Sequence, residues 1–200
     1  MVEALRRTRM TGTQRRDQIL DVAHAIIDAE GFHAATPKRI AEAAGVTRPV
    51  LYQQFGDLTG LFVALIDRER ARAAVQFRDA VAATSGDGDE APVIARFTAL
   101  IHSMDASPAT WRLFLVPPQG APPELHDRLT QAERNVQQYI EGQLRNRYPD
   151  MRDPEYVARM VHAAARELLR LRLTNPDEAT TTRIEGLIRD LAGPLAAFGH

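Results

Sequence analysis

Three observations predict an all-α fold for these 200 residues. Apolar residues recur at three- and four-residue spacing along most of the chain. No stretch alternates with period two over a useful length, so no strand is expected. Clusters of Gly, Pro, Asp and Ser at "TSGDGDEAP" (84–92), "VPPQGAPP" (116–123), "YPDMRDP" (148–154) and "TNPDE" (174–178) separate the helical pieces.

Ile19, Ala23, Ile26 and Ile27 line one face of a first helix. Gly31 is expected to end that helix as a left-handed cap, with Phe32 packing back on it. Thr36 then precedes Pro37, a polar N-cap followed by proline at the first helical position. Ile40, Ala41 and Ala44 supply the buried side of this short second helix, and "AAGV" (43–46) makes a tight glycine turn.

The next stretch, "AGVTRPVLYQQF", carries Pro49 inside a run that otherwise reads as helix. A proline in a helix interior costs about 3 kcal/mol. The first four N–H groups of a helix have no internal partner, however, so a proline there loses no hydrogen bond. Thr47 is therefore the expected N-cap, its hydroxyl accepting from the Val50 N–H, with Arg48 first in the helix and Pro49 second. This third helix is expected over about residues 48–54. Leu51 and Phe55, four apart, share its buried face, leaving Arg48, Val50, Tyr52, Gln53 and Gln54 to various degrees outside it. A long fourth helix is expected near 57–83. Three more follow near 92–104, 108–116 and 122–147, and the last two near 154–174 and 177–198. There is no internal repeat.

Composition narrows the function classes. The chain is 44% hydrophobic and 26% charged with a net charge of −1, ordinary for a globular protein. It has no cysteine, which excludes disulfides, thiolate metal sites and a Cys nucleophile. The opening "MVEALRRTRMTGTQRR" is basic but lacks the apolar core of a signal peptide, and no apolar run approaches the ~18 residues of a membrane span. A cytoplasmic protein with no membrane partner is expected. Residues 1–56 hold 8 basic and 6 acidic side chains, a balance of +2; the remainder holds 17 and 20, a balance of −3. Five of those eight precede residue 17, an arm suited to phosphate contact.

Two short helices joined by a glycine turn, the second rich in hydrogen-bonding side chains, form a helix-turn-helix arrangement. In such units the second helix enters the DNA major groove and its N-terminal residues meet base edges. Fewer than ten residues would not stay helical by propensity alone.

The stretch "ILDVAHAIIDAEGFHAATPKRIAEAAGVTRPVLYQQFGDLTGLF" resembles the N-terminal DNA-binding domain of the TetR family of bacterial transcriptional regulators. The likeness is carried by Gly31-Phe32, Thr36, Ile40-Ala41, "AAGVT", Leu51-Tyr52, Phe55 and Leu61. "TWRLFLVPPQGAPP" further on is similar to a stretch of some members. The resemblance implies a repressor-type homodimer with a three-helix head (1–56) and a helical ligand-binding and dimerisation body (57–200). It implies DNA contacts from Thr36, Lys38, Thr47, Arg48, Pro49, Val50, Tyr52 and Gln53. Thr36 and Thr47 would cap helices against phosphates, and Tyr52 would touch a phosphate. Arg48 is suited to guanine and Gln53 to adenine, each worth ~1–3 kcal/mol of discrimination. Many members carry a lysine near the start of the fourth helix, where this chain has Leu58 in "GDLTGL". One fewer ionic contact per subunit is expected, and Asp57 beside it is repulsive to phosphate unless it caps the helix.

Bulky apolar residues gather in the middle of the chain. Phe97, Ile101, Met104, Trp111, Phe114 and Tyr139, with Leu100 and Leu115, are candidates either for an ordinary core or for the lining of an effector pocket. Arg166 is the polar candidate for that pocket, beside His102 and His126. The last two helices each carry a sustained apolar stripe. Following the family, Val157, Val161, Ala164, Leu168, Leu187, Leu191 and Leu195 are expected in a two-fold dimer interface, with ligand in the body tilting the fourth helix. A homodimer, a double-stranded DNA operator and a small apolar effector are thus the expected partners, with no cofactor and no metal. A helix-turn-helix regulator without a small-molecule ligand is the main alternative. An all-α enzyme is the remote one: there are three serines, no cysteine, no metal-type pairing of the six histidines and no phosphate-binding glycine loop.

Overall fold

The structure, a computed structural model, describes residues 10–82 and 91–197, and the side chains of these except at 91–93 and 192–197. It is all-α, with no strand among the described residues. The helices are α1 (Gly12–Glu30), α2 (Pro37–Ala43), α3 (Arg48–Phe55), α4 (Leu58–Ala82) and α5 (Ala91–Ala106). They continue with α6 (Pro108–Leu115), α7 (Pro123–Arg147), α8 (Pro154–Thr174) and α9 (Thr181–Ala197). The described residues fall into two compact units. One runs up to Asp67 and includes Pro118–Gly120; the other comprises Arg68–Pro117 and the residues from Ala121 onward.

In the first unit, α1 opens on a capping box. The Thr11 hydroxyl accepts from the Gln14 N–H at 3.2 Å while the Gln14 side chain accepts from the Thr11 N–H at 2.9 Å. Ile19, Ala23 and Ile27 bury one face of α1, which packs on α2, and Ile40, Leu51 and Leu61 are the fully buried residues of the helices that follow. Gly31 ends α1 with φ +90°, as a glycine allows, but its ψ of 170° is outside the left-handed helical region expected for it. The chain extends here so that the Phe32 N–H can donate to the Gln119 carbonyl at 3.0 Å. A Cβ on Gly31 would stand 3.1 Å from that oxygen. The buried Phe32 ring meets Phe62 edge-on, centroids 5.1 Å apart.

The α3–α4 corner depends on a second glycine. A Cβ on Gly60 would lie 2.2 Å from the Phe55 carbonyl oxygen, a distance no side chain tolerates. Asp57 does cap α4: its carboxylate accepts from the Gly60 N–H at 2.6 Å.

In the second unit, α7 packs along α8, α5 along α9, and α6 against α5 and α8. Ile101, Met104, Trp111, Leu169 and Ile184 form one buried cluster. Beside it runs a polar ladder from α4 to α6. Glu69, wholly buried, accepts from the Thr110 hydroxyl at 2.6 Å and pairs with Arg68 at 2.9 Å and Arg72 at 3.0 Å. Two turns along, Gln76 accepts from the Trp111 indole N–H at 2.7 Å and donates to the Ser107 hydroxyl at 3.2 Å.

Most helix limits agree with the breaker pattern, but α9 begins four residues later than expected. The Asn175 carbonyl accepts from both Glu178 and Ala179, closing residues 175–179 into a turn. The Thr180 hydroxyl then accepts from the Arg183 N–H at 3.4 Å, so Thr180 and not Asp177 sets the start.

Candidate nucleic-acid interface

The third helix is short because both its ends are marked in the sequence. Thr47 sits at the N-cap with extended backbone, Pro49 falls in the first turn, and Gly56 closes the helix at φ +79°. One side chain, Leu51, is wholly buried. The helix period sets Arg48 one turn before Tyr52, and Pro49 one turn before Gln53, with Pro49 and Gln53 opposite that anchor. All four are exposed, Tyr52 by 43%, and Val50 is half-buried beside them. The result is a two-turn rod held from behind, displaying a guanidinium, a phenol and an amide.

Thr47 corrects one expectation. Its carbonyl accepts from the Leu51 N–H at 3.2 Å, but its hydroxyl makes no cap bond to the helix. A cap hydroxyl ordinarily takes the second or third helical N–H, and Pro49 at the second has none, leaving only Val50 to hold it. Thr36, with no such gap, does cap: its hydroxyl accepts from the Arg39 N–H at 3.3 Å. Both threonines are exposed.

The basic side chains of this unit divide by their partners. Lys38 is exposed and only loosely paired with Glu42, at 4.0 Å one turn on. Arg48 is exposed at the start of α3. Arg39 grips Glu30 with both terminal nitrogens, and its guanidinium holds the Glu30 carboxyl below the usual carboxylate range. Arg16 is turned inward: it donates to the Gln54 carbonyl, and its guanidinium lies 4.3 Å above the Phe55 ring. That residue is therefore not a free member of the basic arm. Arg6, Arg7 and Arg9 lie outside the described residues. Leu58, where the family often has lysine, is half-buried in the first turn of α4.

Four of the candidate pocket residues share one cluster of the second unit. Ile101, Met104 and Trp111 are core, and Phe97 packs on the same cluster. Phe114 is half-buried on α6. Tyr139 of α7 meets Phe77 edge-on at 5.8 Å. Arg166 pairs with Glu133 across α7 and α8 at 3.1 Å and is nearly half exposed. An open groove of about 680 Å³ lies between α5 and α9, lined by Thr98, His102, Glu185 and Arg189 with Ile94, Ala95 and Ala99.

Of the expected dimer residues, Ala164, Leu187 and Leu191 are exposed, while Val157, Val161 and Leu168 are half-buried. The Leu195 side chain lies outside the described ones. Two large apolar residues of α8 are the most exposed, Tyr156 at 63% and Met160 at 67%; Met160 recurs at helical spacing with Val157 and Val161 in the sequence, whereas Tyr156 gave no such signal. They continue through Ala163 and Ala164 into a single stripe at helical spacing. Among the described residues, no helix is long and apolar enough to cross a membrane, and no three His, Asp or Glu are grouped to hold a metal ion.

Comparison with known proteins adds three findings. Residues 19–65 match the family model described as bacterial regulatory proteins, tetR family. Among curated relatives, the HTH-type transcriptional activator FasR of Mycolicibacterium smegmatis is 35% identical over 80 residues, 40% of this chain and 36% of that one. The HTH-type transcriptional repressor AcnR of Corynebacterium glutamicum is 37% identical over 62 residues, 31% of this chain and 33% of that one. The chain thus spans about a third of the length of the curated relatives it matches. Among solved structures, the regulator FadR from Bacillus subtilis in complex with stearoyl-CoA superposes with a TM-score of 0.69 at 13% identity. That match covers 88% of this chain and 96% of that one, a likeness of fold.

Proposed function

The chain belongs to the TetR family of bacterial regulatory proteins, and from that premise we propose that it represses transcription by binding a palindromic DNA operator as a homodimer. A small, largely apolar ligand releases it. Residues 1–56 serve as the DNA-binding part and 57–200 as the ligand-binding and dimerisation part. A regulator of bacterial genes works in the cytoplasm, and the relatives, named as regulators, speak against an enzyme. One observation carries the reading: Arg48, Tyr52 and Gln53 stand exposed on a two-turn helix whose inner face is anchored by Leu51. Such a rod fits the major groove with its first turn toward the bases.

The direct check of base reading is Arg48→Ala. A bidentate arginine–guanine pair is worth ~1–3 kcal/mol, and a dimer makes two, so affinity for the operator falls by tenfold or more. Preference at one symmetric base-pair position relaxes with it, read by titrating a set of single-substituted operators. Leu58→Lys tests the missing phosphate contact. It should steepen the dependence of log K on log salt by about 2 per dimer and tighten binding at low salt. An unchanged slope would mean that Leu58 does not face the backbone.

The α8–α9 stripe supports the homodimer. Tyr156, Met160, Ala164, Leu187 and Leu191 expose apolar surface that a two-fold partner would cover. Met160→Glu combined with Leu191→Glu should give a monomer by analytical ultracentrifugation and lose cooperative operator binding. A variant that stays dimeric would place the interface elsewhere.

Relatives named as an activator and as a repressor leave both directions of regulation represented. A reporter fused to the operator decides: repression predicts higher output on deleting the regulator. The ligand is supported by the complex of FadR with stearoyl-CoA and tested by thermal shift with a series of acyl-CoA and apolar aromatic compounds. The tight packing of Ile101, Met104 and Trp111 favours the second reading, a regulator without a small-molecule ligand. No stabilisation by any compound would support it.

A further inference from the structure

The basic N-terminal stretch suggested phosphate contacts, yet Arg16 within it makes a different interaction. Arg16, in the second turn of α1, donates from Nη1 to the Gln54 carbonyl and covers the Phe55 ring at 4.3 Å. Gln54 and Phe55 are the last two residues of α3. Carbonyls in the last turn of a helix have no partner within it and carry the negative end of its dipole. A guanidinium there satisfies one carbonyl, complements the dipole and stacks on the adjacent ring at once.

We infer that Arg16 is a positioning residue for DNA reading: it ties the far end of α3 to α1 and so sets the angle at which Arg48, Tyr52 and Gln53 are presented. The inference rests on the reading of α3 as the operator-reading helix. Its physical basis is how little else holds that end. Leu51 is the one fully buried side chain of α3 and lies mid-helix, so it is a pivot rather than a clamp. The N-terminal end is fixed by the turn, where the Val46 N–H donates to the Ala41 carbonyl at 2.9 Å. The C-terminal end has the close Gly60 approach and Arg16. A tilt of a few degrees about Leu51 moves the base-facing side chains out of bidentate geometry, while the phosphate-facing charges still find phosphates.

A phosphate contact and a positioning clamp are separated by charge. Lysine keeps the charge of Arg16 but cannot both reach the carbonyl and stack flat on Phe55. The full-length protein, with Arg16→Ala, Arg16→Lys and Phe55→Leu variants, is titrated into a fluorescent duplex carrying the wild-type footprint and into a random-sequence duplex, each across a salt series. The expected result is a loss of tenfold or more in specific affinity for both Arg16 variants and a smaller loss for Phe55→Leu. Binding to the random duplex stays within about twofold, and the salt slope stays at the wild-type value. A fall in slope of about 2 per dimer in Arg16→Ala, with wild-type behaviour in Arg16→Lys, would make Arg16 a phosphate contact and overturn the inference. Equal losses on both duplexes alongside a lowered melting temperature would make it merely structural, and wild-type affinity in both variants would also overturn it. If wild type itself shows no site-specific footprint, the reading of α3 fails first, and that outcome is visible before any variant is made.

Discussion

Leu51→Ala abolishes operator binding and destabilises the N-terminal unit by about 2–5 kcal/mol, the range for truncating a fully buried leucine. The effect is large because α3 has no reserve. Eight residues do not hold a helix by propensity, and the other apolar side chains of α3, Val50 and Phe55, are half-buried. Leu51 is fully buried, as are Ile19, Ile27, Ile40 and Leu61 of the same unit, and a close-packed interior of this kind fills a deleted side chain only in part. Urea unfolding followed by far-UV circular dichroism measures the loss. Leu51→Met, which conserves volume, should cost under about 1.5 kcal/mol and retain binding. If Leu51→Ala binds operator like wild type, α3 is not held in the way described.

Glu69→Ala destabilises the second unit by about 3–5 kcal/mol, the range for removing one partner of a buried ion pair. Its carboxylate is fully buried and takes the Thr110 hydroxyl, Arg68 and Arg72 together, and Arg68 is itself only 15% exposed. Removing it deprives a largely buried guanidinium of a carboxylate and Thr110 of its acceptor. Glu69→Gln keeps an acceptor for Thr110 but no charge for the arginines, so it falls between alanine and wild type. The chain's single tryptophan, Trp111, follows Thr110 directly and reports this region by fluorescence during unfolding. An alanine variant within 1 kcal/mol of wild type would mean that water or another group replaces the carboxylate without cost.

What the sequence revealed follows from the range of each interaction. The start of α3 was legible because Thr47 and Pro49 are local signals: a proline's missing N–H acts on its own helix. In the sequence Asp57 is open between a cap and a repulsive charge, and its bond to the Gly60 N–H three residues on makes it a cap. The Thr47 hydroxyl was misread because two local rules met, the N-cap preference and the proline at the second position, and the second removed a donor the first relies on. The role of Arg16 was not legible, since its partner lies 38 residues away and an arginine near the N-terminus looks the same whether it meets water, phosphate or a carbonyl. Gly60 gave no signal of its own, because what demands glycine there is the Phe55 carbonyl of the preceding helix.

The exposed stripe of α8 shows the same limit at finer scale. Val157, Met160 and Val161 all belong to it in the sequence, yet Met160 is exposed beside Tyr156 while the two valines are half-buried. One residue is a turn of about 100° around a helix axis. A sequence stripe wide enough to cover both positions does not say which edge meets the body and which is left open. Glu69 was hidden for the opposite reason: a charged residue in an arginine-rich helix reads as solvated until Thr110 of α6 is seen closing over it.

If α3, anchored by Leu51, reads a symmetric DNA site, the purified protein protects one. The most direct measurement is a footprint of the purified full-length protein on the DNA flanking its own gene, across a salt series. The expected result is a short palindromic protection that weakens steeply with salt and is lost in Arg48→Ala and Tyr52→Ala. Diffuse protection that neither substitution alters would contradict it.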